Sequence, residues 1–297
     1  MVREITPAEV AEWAERALAH ATNIRQRAGL LDAVSGPAFA TELRDEFRVG
    51  LPRDDRTFVN ADLSQWIWIS SQKRLTVRDA RVEAAEPWLP ALREATGGKE
   101  FTISTFAGCT DADPILAACP HRLRSIEMAA ALPSIAVVPA GTPDVTLRTM
   151  TSRELRDFLE ITSDELAEQQ LGTHPDKTYP ELKKRALLRA RHQLSDGVST
   201  PGHELFAIVV NGRDVGGMWA QQDGPRVRVW SLVVYQDYRG RSYSRAALAQ
   251  IAIAMSFRGV RFMSVPLVST NTHARSIFEL GGFKLARKNF CARAVEA

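Results

Sequence analysis

The chain has 297 residues, 45% hydrophobic and 25% charged, with 18 Gly, 15 Pro and a formal net charge of +3. That composition fits one large or two ordinary globular domains and excludes collagen-like, disulfide-stapled and largely disordered chains. No apolar run reaches the ~18–20 residues of a membrane-spanning helix. The three cysteines (Cys109, Cys119, Cys291) fit no disulfide framework, and the acidic N-terminus lacks the apolar stretch of a secretion signal, so a cytoplasmic protein off the membrane is expected.

Residues 6–28 read as a helix: Thr6 stands at the N-cap, Pro7 at the first helical position, and Glu9 completes a capping box. A second helix covers about 36–48, and 50–60 reads as loop. Strands are predicted at 65–69 and 75–82. Trp66 and Trp68 share one face of the first, a core face or a stacking platform. A helix opens at Pro87 and stops at Gly97 and Gly98; 101–105 is a strand, 111–119 a short helix and 121–132 a strand. Three prolines within 133–144 mark a linker, with a boundary near 140 that separates 1–140 from 141–297.

Beyond it, 145–148 is a strand and Ser152 caps a helix at 153–168. A basic helix at 181–194 carries Lys183, Lys184, Arg185, Arg189 and Arg191 with leucines between them, the pattern of a solvated amphipathic face rather than a nucleic-acid surface. Strands 203–210 and 215–220 form a hairpin through Asn211-Gly212. A strand at 226–235, a helix at 243–257, a strand at 261–265, a helix at 274–280 and a strand at 283–290 complete the order β-α-α-β-β-β-α-β-α-β, an α/β (α+β) fold with a mixed sheet.

The informative segment is 227–244, VRVWSLVVYQDYRGRSYS, where an apolar strand runs through a short Arg-rich loop into a helix. First-turn N–H groups have no intrahelical partner and the helix dipole favours negative charge there, so such a junction binds anions. Small residues let a phosphate reach the backbone, and Arg239 and Arg241 add charge and forked donors.

Those residues resemble the acyl-CoA loop of the GCN5-related N-acetyltransferase (GNAT) superfamily, [Q/R]-x-x-G-x-[G/A]: Arg239 holds its first position, Ser242 the glycine and Ser244 the last small residue. Leu232 and Val234 fall on the family's L-x-V, and 271–283 resembles its N-x-x-A-x-x-L-Y-x-x-x-G-F, with Asn271, Ala274, Phe278, Gly282 and Phe283 in register. The Val215-Gly216-Gly217 hairpin also matches, and the likeness spans roughly 145–292. The resemblance implies a GNAT fold in the C-terminal half. It also implies an acetyl-CoA (or other acyl-CoA) site at Leu232, Val233, Val234, Arg239, Gly240, Arg241, Ser242, Tyr243, Ser244, Asn271, Ser276 and Phe278. The implied activity is N-acyl transfer to a small-molecule or peptide amine by direct attack on the thioester. The strand around Val233 and Val234 would splay from its neighbour at 261–265 and polarise the carbonyl.

Two departures stand out: serines replace glycine or alanine at 242 and 244, and Phe278 replaces the tyrosine that protonates the thiolate in many members. Proton donation then falls to water, Ser276 or His273, or to no group. Ser231 and Glu204 are the candidate catalytic polar groups, and Asn271 caps a helix or bonds the pantetheine arm. The acceptor wall implied by the fold carries Thr162, Asp164, Glu165, Glu168, His174, Asp176 and Tyr179. The alternative to an enzyme is a catalytically weak GNAT-like module that senses CoA or docks a partner. No metal, no nucleic acid and a monomer or homodimer are expected.

In the N-terminal half, residues 101–125 repeat the pattern of 262–286, pairing Phe101 with Phe262 and Thr110 with Asn271. The 82–88 junction has two acids and no Gly-Arg loop. This half is a degenerate second GNAT-like domain without CoA, giving a tandem overall, or an unrelated α+β domain.

Overall fold

The computed structural model describes residues 1–72, 74–135 and 143–295. The chain forms two compact units, Met1–Ile126 with Leu285–Ala297, and Glu127–Lys284. Much of the 133–144 linker, including the boundary near 140, lies outside the described residues.

In chain order the first half runs β1 (Arg3–Glu4), α1 (Val10–Arg27), α2 (Ser35–Glu46), β2 (Asp55–Val59), β3 (Trp66–Ser70), β4 (Thr76–Arg81), α3 (Leu89–Thr96), β5 (Glu100–Phe106), α4 (Asp113–Ala118), β6 (His121–Ala131) and a single turn, α5 (Leu132–Ile135). The second half runs β7 (Thr146–Thr149), α6 (Ser152–Leu171), α7 (Tyr179–Gln193), β8 (His203–Val210), β9 (Arg213–Asp223), β10 (Arg226–Val234), α8 (Tyr243–Ser256), β11 (Phe262–Val268), α9 (Thr272–Leu280) and β12 (Lys284–Arg293). From β1 to β6 and again from β7 to β12 the order is the same, β-α-α-β-β-β-α-β-α-β. Among the described residues no helix is long and apolar enough to cross a membrane.

In the first unit the strand order is β1-β2-β3-β4-β5-β12-β6. Both faces of β3 are covered. Trp66 and Trp68 pack with Trp13 of α1 on one face. Ile67 and Ile69 pack with Leu92 and Ile115 on the other. The indole N–H groups of Trp66 and Trp68 donate to Asp79 and Asp55, both at 2.8 Å. The tryptophans are therefore core, and no stacking platform forms.

The 50–60 segment, expected as loop, contains β2. The strand escapes a hydrophobic reading because Asp55 and Thr57 point inward and are buried, Asp55 to meet the Trp68 indole. A short parallel contact joins β4 to β5 at Thr76–Thr102 and Val77–Ile103. Beside it His20 of α1 bonds Asp79 and Asp111. Burial pushes its imidazole down, but hydrogen bonds with Asp79, Cys109 and Asp111 outweigh that and hold it up at about 10.

In the second unit the order is β6-β11-β10-β9-β8-β7. Asn211 (φ 50°) and Gly212 (φ 73°) both take the left-handed conformation and turn the β8–β9 hairpin, as a type I′ turn requires. Gly217 of β9 makes room for α6: a Cβ there would stand 2.6 Å from Cδ2 of the fully buried Phe158. Gly216 does the same for the sheet, since its Cβ would meet the Val233 carbonyl at 2.2 Å.

Candidate functional site

β10 pairs with β9 along its whole length, with one irregularity between Val229 and Ser231. With β11 it pairs in parallel only at Arg226–Phe262, Val227–Met263 and Arg228–Ser264. The remaining residues of β10, through Val234, run on without a β11 partner, so the two strands part as expected.

Which groups face the gap follows from the alternation of a strand. Tyr235 N–H donates to Val215 O at 2.9 Å, towards β9. Val233 faces β9 in the same phase, and Leu232 and Val234 turn their polar groups to the unpaired side. The expected free N–H of the strand around Val233 and Val234 is narrowed by this phase: the N–H groups on the unpaired side are those of Leu232 and Val234. The Val234 carbonyl is taken by Arg239 Nε–H at 3.0 Å.

After β10 a short 3₁₀ turn, Gln236–Tyr238, leads through Arg239, Gly240 and Arg241 into α8. Gly240 has φ 79°. Ser242, the N-cap, sits at φ 60°, ψ 16°, a left-handed conformation that favours glycine, and its side chain caps nothing. The first-turn N–H groups, from Tyr243 and Ser244 onward, point out of the helix end without a side-chain partner. Among the described residues Arg241, just before the N-cap, and Arg245, in the first turn of α8, are both exposed and have no ion-pair partner. Arg239 does: its Nη2 donates to Glu165 of α6. Burial raises the Glu165 carboxyl, and Arg239 only partly offsets that.

Asn271 caps α9, its Oδ1 accepting from Ala274 N–H at 3.0 Å. Among the described residues its amide nitrogen has no side-chain or backbone partner. Ser276 Oγ–H donates to the Thr272 carbonyl one turn back, and His273 is exposed on the same helix. Phe278 is buried at 5% exposure, its ring edge-on to Phe283 at 5.2 Å. Ser231 is half-buried on β10 just past the bulge, in register with Trp219.

Glu204 stands apart from this group. It pairs with Ala220, level with Val229, and its carboxylate is bound by Arg258, two residues beyond the C-terminal end of α8. The N-terminal end of α8, where the Arg239–Ser244 loop lies, is the other one. On the expected acceptor wall, Asp164 accepts from Tyr179 and Lys183, Thr162 bonds the Leu159 carbonyl, Asp176 pairs with Lys177, and His174 is buried against Thr173. Glu168 is the exposed acid of that wall without an ion pair among the described residues.

Sequence spacing showed no metal cluster. The fold nonetheless gathers His20, Cys109 and Asp111, whose ligand atoms lie within 4.8 Å of one another. His20 lies so far upstream of Cys109 and Asp111 that the three leave no spacing signal.

The model of the acetyltransferase (GNAT) family matches residues 159–283, from α6 to the turn after α9. The chain is similar to an uncharacterised N-acetyltransferase of Bacillus subtilis, YycN, at 29% identity over 149 residues, 47% of this chain and 92% of that protein. A solved GCN5-related N-acetyltransferase from Sphaerobacter thermophilus matches 99% of this chain and 95% of its own, with a TM-score of 0.54 and 18% identity. A GNAT-family acetyltransferase from Colwellia psychrerythraea covers 99% of both chains at a TM-score of 0.50 and 10% identity. At such identities the two structures speak for the fold. The family match spans the parted strands and the loop between β10 and α8, and it marks residues 159–283 as a GNAT acetyltransferase domain.

Proposed function

We propose that residues 141–297 bind an acyl-CoA and transfer its acyl group, acetyl in the simplest case, to the amine of a small molecule or peptide. The carrying observation is the parting of β10 from β11 next to the free N-terminus of α8. The loop N–H groups of Gly240, Arg241, Ser242, Tyr243 and Ser244, with the Arg241 guanidinium, take the phosphates. Arg239 shapes the loop through Val234 and Glu165. Leu232 and Val234 turn donors toward the thioester carbonyl, and one such preorganised donor is worth about 10²–10³ in kcat. The Asn271 amide bonds the pantetheine arm.

In the reaction the amine nitrogen attacks the carbonyl carbon, a C–N bond forms, the C–S bond breaks, and CoA leaves as the thiolate. The proton lost by the amine passes to water held at Ser231. Phe278 has no proton to give and Ser276 spends its own on the helix, so water protonates the thiolate. Holding the two reactants in line supplies much of the rate. Glu168, with its charge free, favours a cationic acceptor. The first half serves as an accessory unit and binds no CoA: its counterpart to the loop, between β4 and α3, has two acids and neither Gly nor Arg at 82–88, with Trp88 buried just before the helix.

The buried Phe278 and the Glu165-bound Arg239 favour a second reading, a CoA-sensing or partner-docking module. Titration calorimetry with acetyl-CoA and CoA, followed by a thiol-release assay over amino acids, polyamines, aminoglycosides and peptides, separates the two. Micromolar binding with thiol release on one amine class is expected. Binding without release on any amine favours the sensor, and no binding at high micromolar concentration removes the enzyme and the CoA sensor, leaving partner docking.

A further inference from the structure

The first unit contains a second pair of parted strands, and what fills it is chemically specific. After Val77–Ile103 the strands β4 and β5 no longer pair. A cavity of about 10 Å³ lies between them, lined by His20, Asp79 and Cys109 among others, room for one water-sized occupant. His20 Nε2 lies 2.8 Å from Asp111 Oδ2, and Cys109 Sγ lies 3.1 Å from the same oxygen. On the other side of the ring, Nδ1 meets Asp79 Oδ2 at 2.9 Å, and that oxygen is fixed in turn by the Trp66 indole N–H. His20 and Asp79 keep only 9% and 5% of their side-chain surface exposed, whereas Asp111 keeps 38% and also lines an open cleft with Thr110 and Pro114.

We propose that His20 Nε2, Cys109 Sγ and the Asp111 carboxylate form a binding site for one divalent transition cation of the zinc class, with Asp79 as the positioning residue that holds the imidazole. The donor set is one nitrogen, one sulfur and one oxygen, which suits a borderline-soft cation and not magnesium or calcium. Bond lengths of about 2.0–2.3 Å to such an ion need ligand atoms some 3–4 Å apart, and the three here lie within 4.8 Å of one another. A carboxylate behind the ligand histidine is the usual outer support of a metal-bound imidazole. The charges are compatible as well: two carboxylates and a thiol surround one imidazole, and a dication that displaces one proton from His20 and one from Cys109 leaves the net charge of the cluster unchanged. The cleft beside Asp111 offers an entry path and leaves the fourth position to water. The ion would tie α1 to the loop between β5 and α4.

The test uses the full chain, stripped with a chelator and titrated with Co²⁺ and then Zn²⁺. The expected result is one ion per chain and a thiolate-to-cobalt charge-transfer band. The band vanishes in Cys109→Ser and persists in Cys291→Ser. Affinity falls at least tenfold in Asp111→Asn and about 10–100-fold in Asp79→Asn, the usual cost of losing a supporting carboxylate. Circular dichroism of each metal-free variant checks that it folds. If the wild type shows no saturable binding at millimolar metal, or if Cys109→Ser binds with the same stoichiometry and the same band, the proposal is overturned. The wild-type titration decides even if a variant fails to fold.

Discussion

Arg239 and Glu165 are joined across α6 and the β10–α8 loop: Nη2 donates to the carboxylate while Nε–H of the same guanidinium caps the Val234 carbonyl. A side chain so engaged shapes the loop before any ligand arrives. Among the described residues Arg241 has no ion-pair partner, and in the proposed site it is the loop arginine free to meet a phosphate, with Arg245 behind it. Arg241→Ala is therefore expected to weaken acetyl-CoA binding about tenfold or more, the roughly 1.5–3 kcal/mol of one charged hydrogen bond. Arg239→Ala is expected to lower the Tm slightly and to affect binding less. Calorimetry on both variants checks the order, and the reverse order would mean that Arg239 leaves Glu165 when the cofactor binds.

Ser242 holds a left-handed backbone at φ 60°, which costs an L-residue about 1–2 kcal/mol relative to the right-handed form. Ser242→Gly is expected to raise stability by about 1 kcal/mol, a Tm gain of a few degrees, with acetyl-CoA affinity kept or improved. A loss of affinity would show that the hydroxyl bonds a phosphate oxygen.

Phe278 lies in the core against Phe283, with 5% of its surface exposed. A phenol there buries a hydroxyl, and without a partner that costs about 1–3 kcal/mol. Phe278→Tyr is expected to lower the Tm and leave kcat unchanged. Steady-state kinetics with thermal unfolding reads both, and a large gain in kcat at unchanged Tm would mean that thiolate protonation limits the rate.

Gly217 admits no side chain. A Cβ would approach the Met150 methyl at 2.5 Å and the Phe158 ring at 2.6 Å. Gly217→Ala is expected to destabilise the second unit by about 1–3 kcal/mol, the range for overpacking a tight core. Denaturant unfolding measures it, and a neutral effect would show that α6 moves off the sheet freely.

The loop from Arg239 to Ser244 and the Asn271 cap were legible in the sequence because their chemistry is local: a strand end, a helix start, a side chain three residues from its acceptor. Other features needed the third dimension. Glu204 is near the site by strand order, yet strand order does not say which end of the strand a carboxylate reaches. The phase that turns Leu232 and Val234, and not Val233, to the gap depends on where Tyr235 N–H goes. β2 was hidden because its inward positions are polar, with Asp55 serving a buried indole. His20, Asp79, Cys109 and Asp111 meet only because α1 packs beside β4 and β5.

β12 adds a constraint of timing. It pairs with β5 through seven consecutive positions, from Arg287–Phe106 to Arg293–Glu100, and between those strands the chain makes the whole second unit. On the ribosome β5 thus waits as a bare edge, open to pairing with other chains, until the last strand emerges. The first unit is begun first and finished last. Its refolding then depends on closing a very long loop, a slow step for any two-stranded contact.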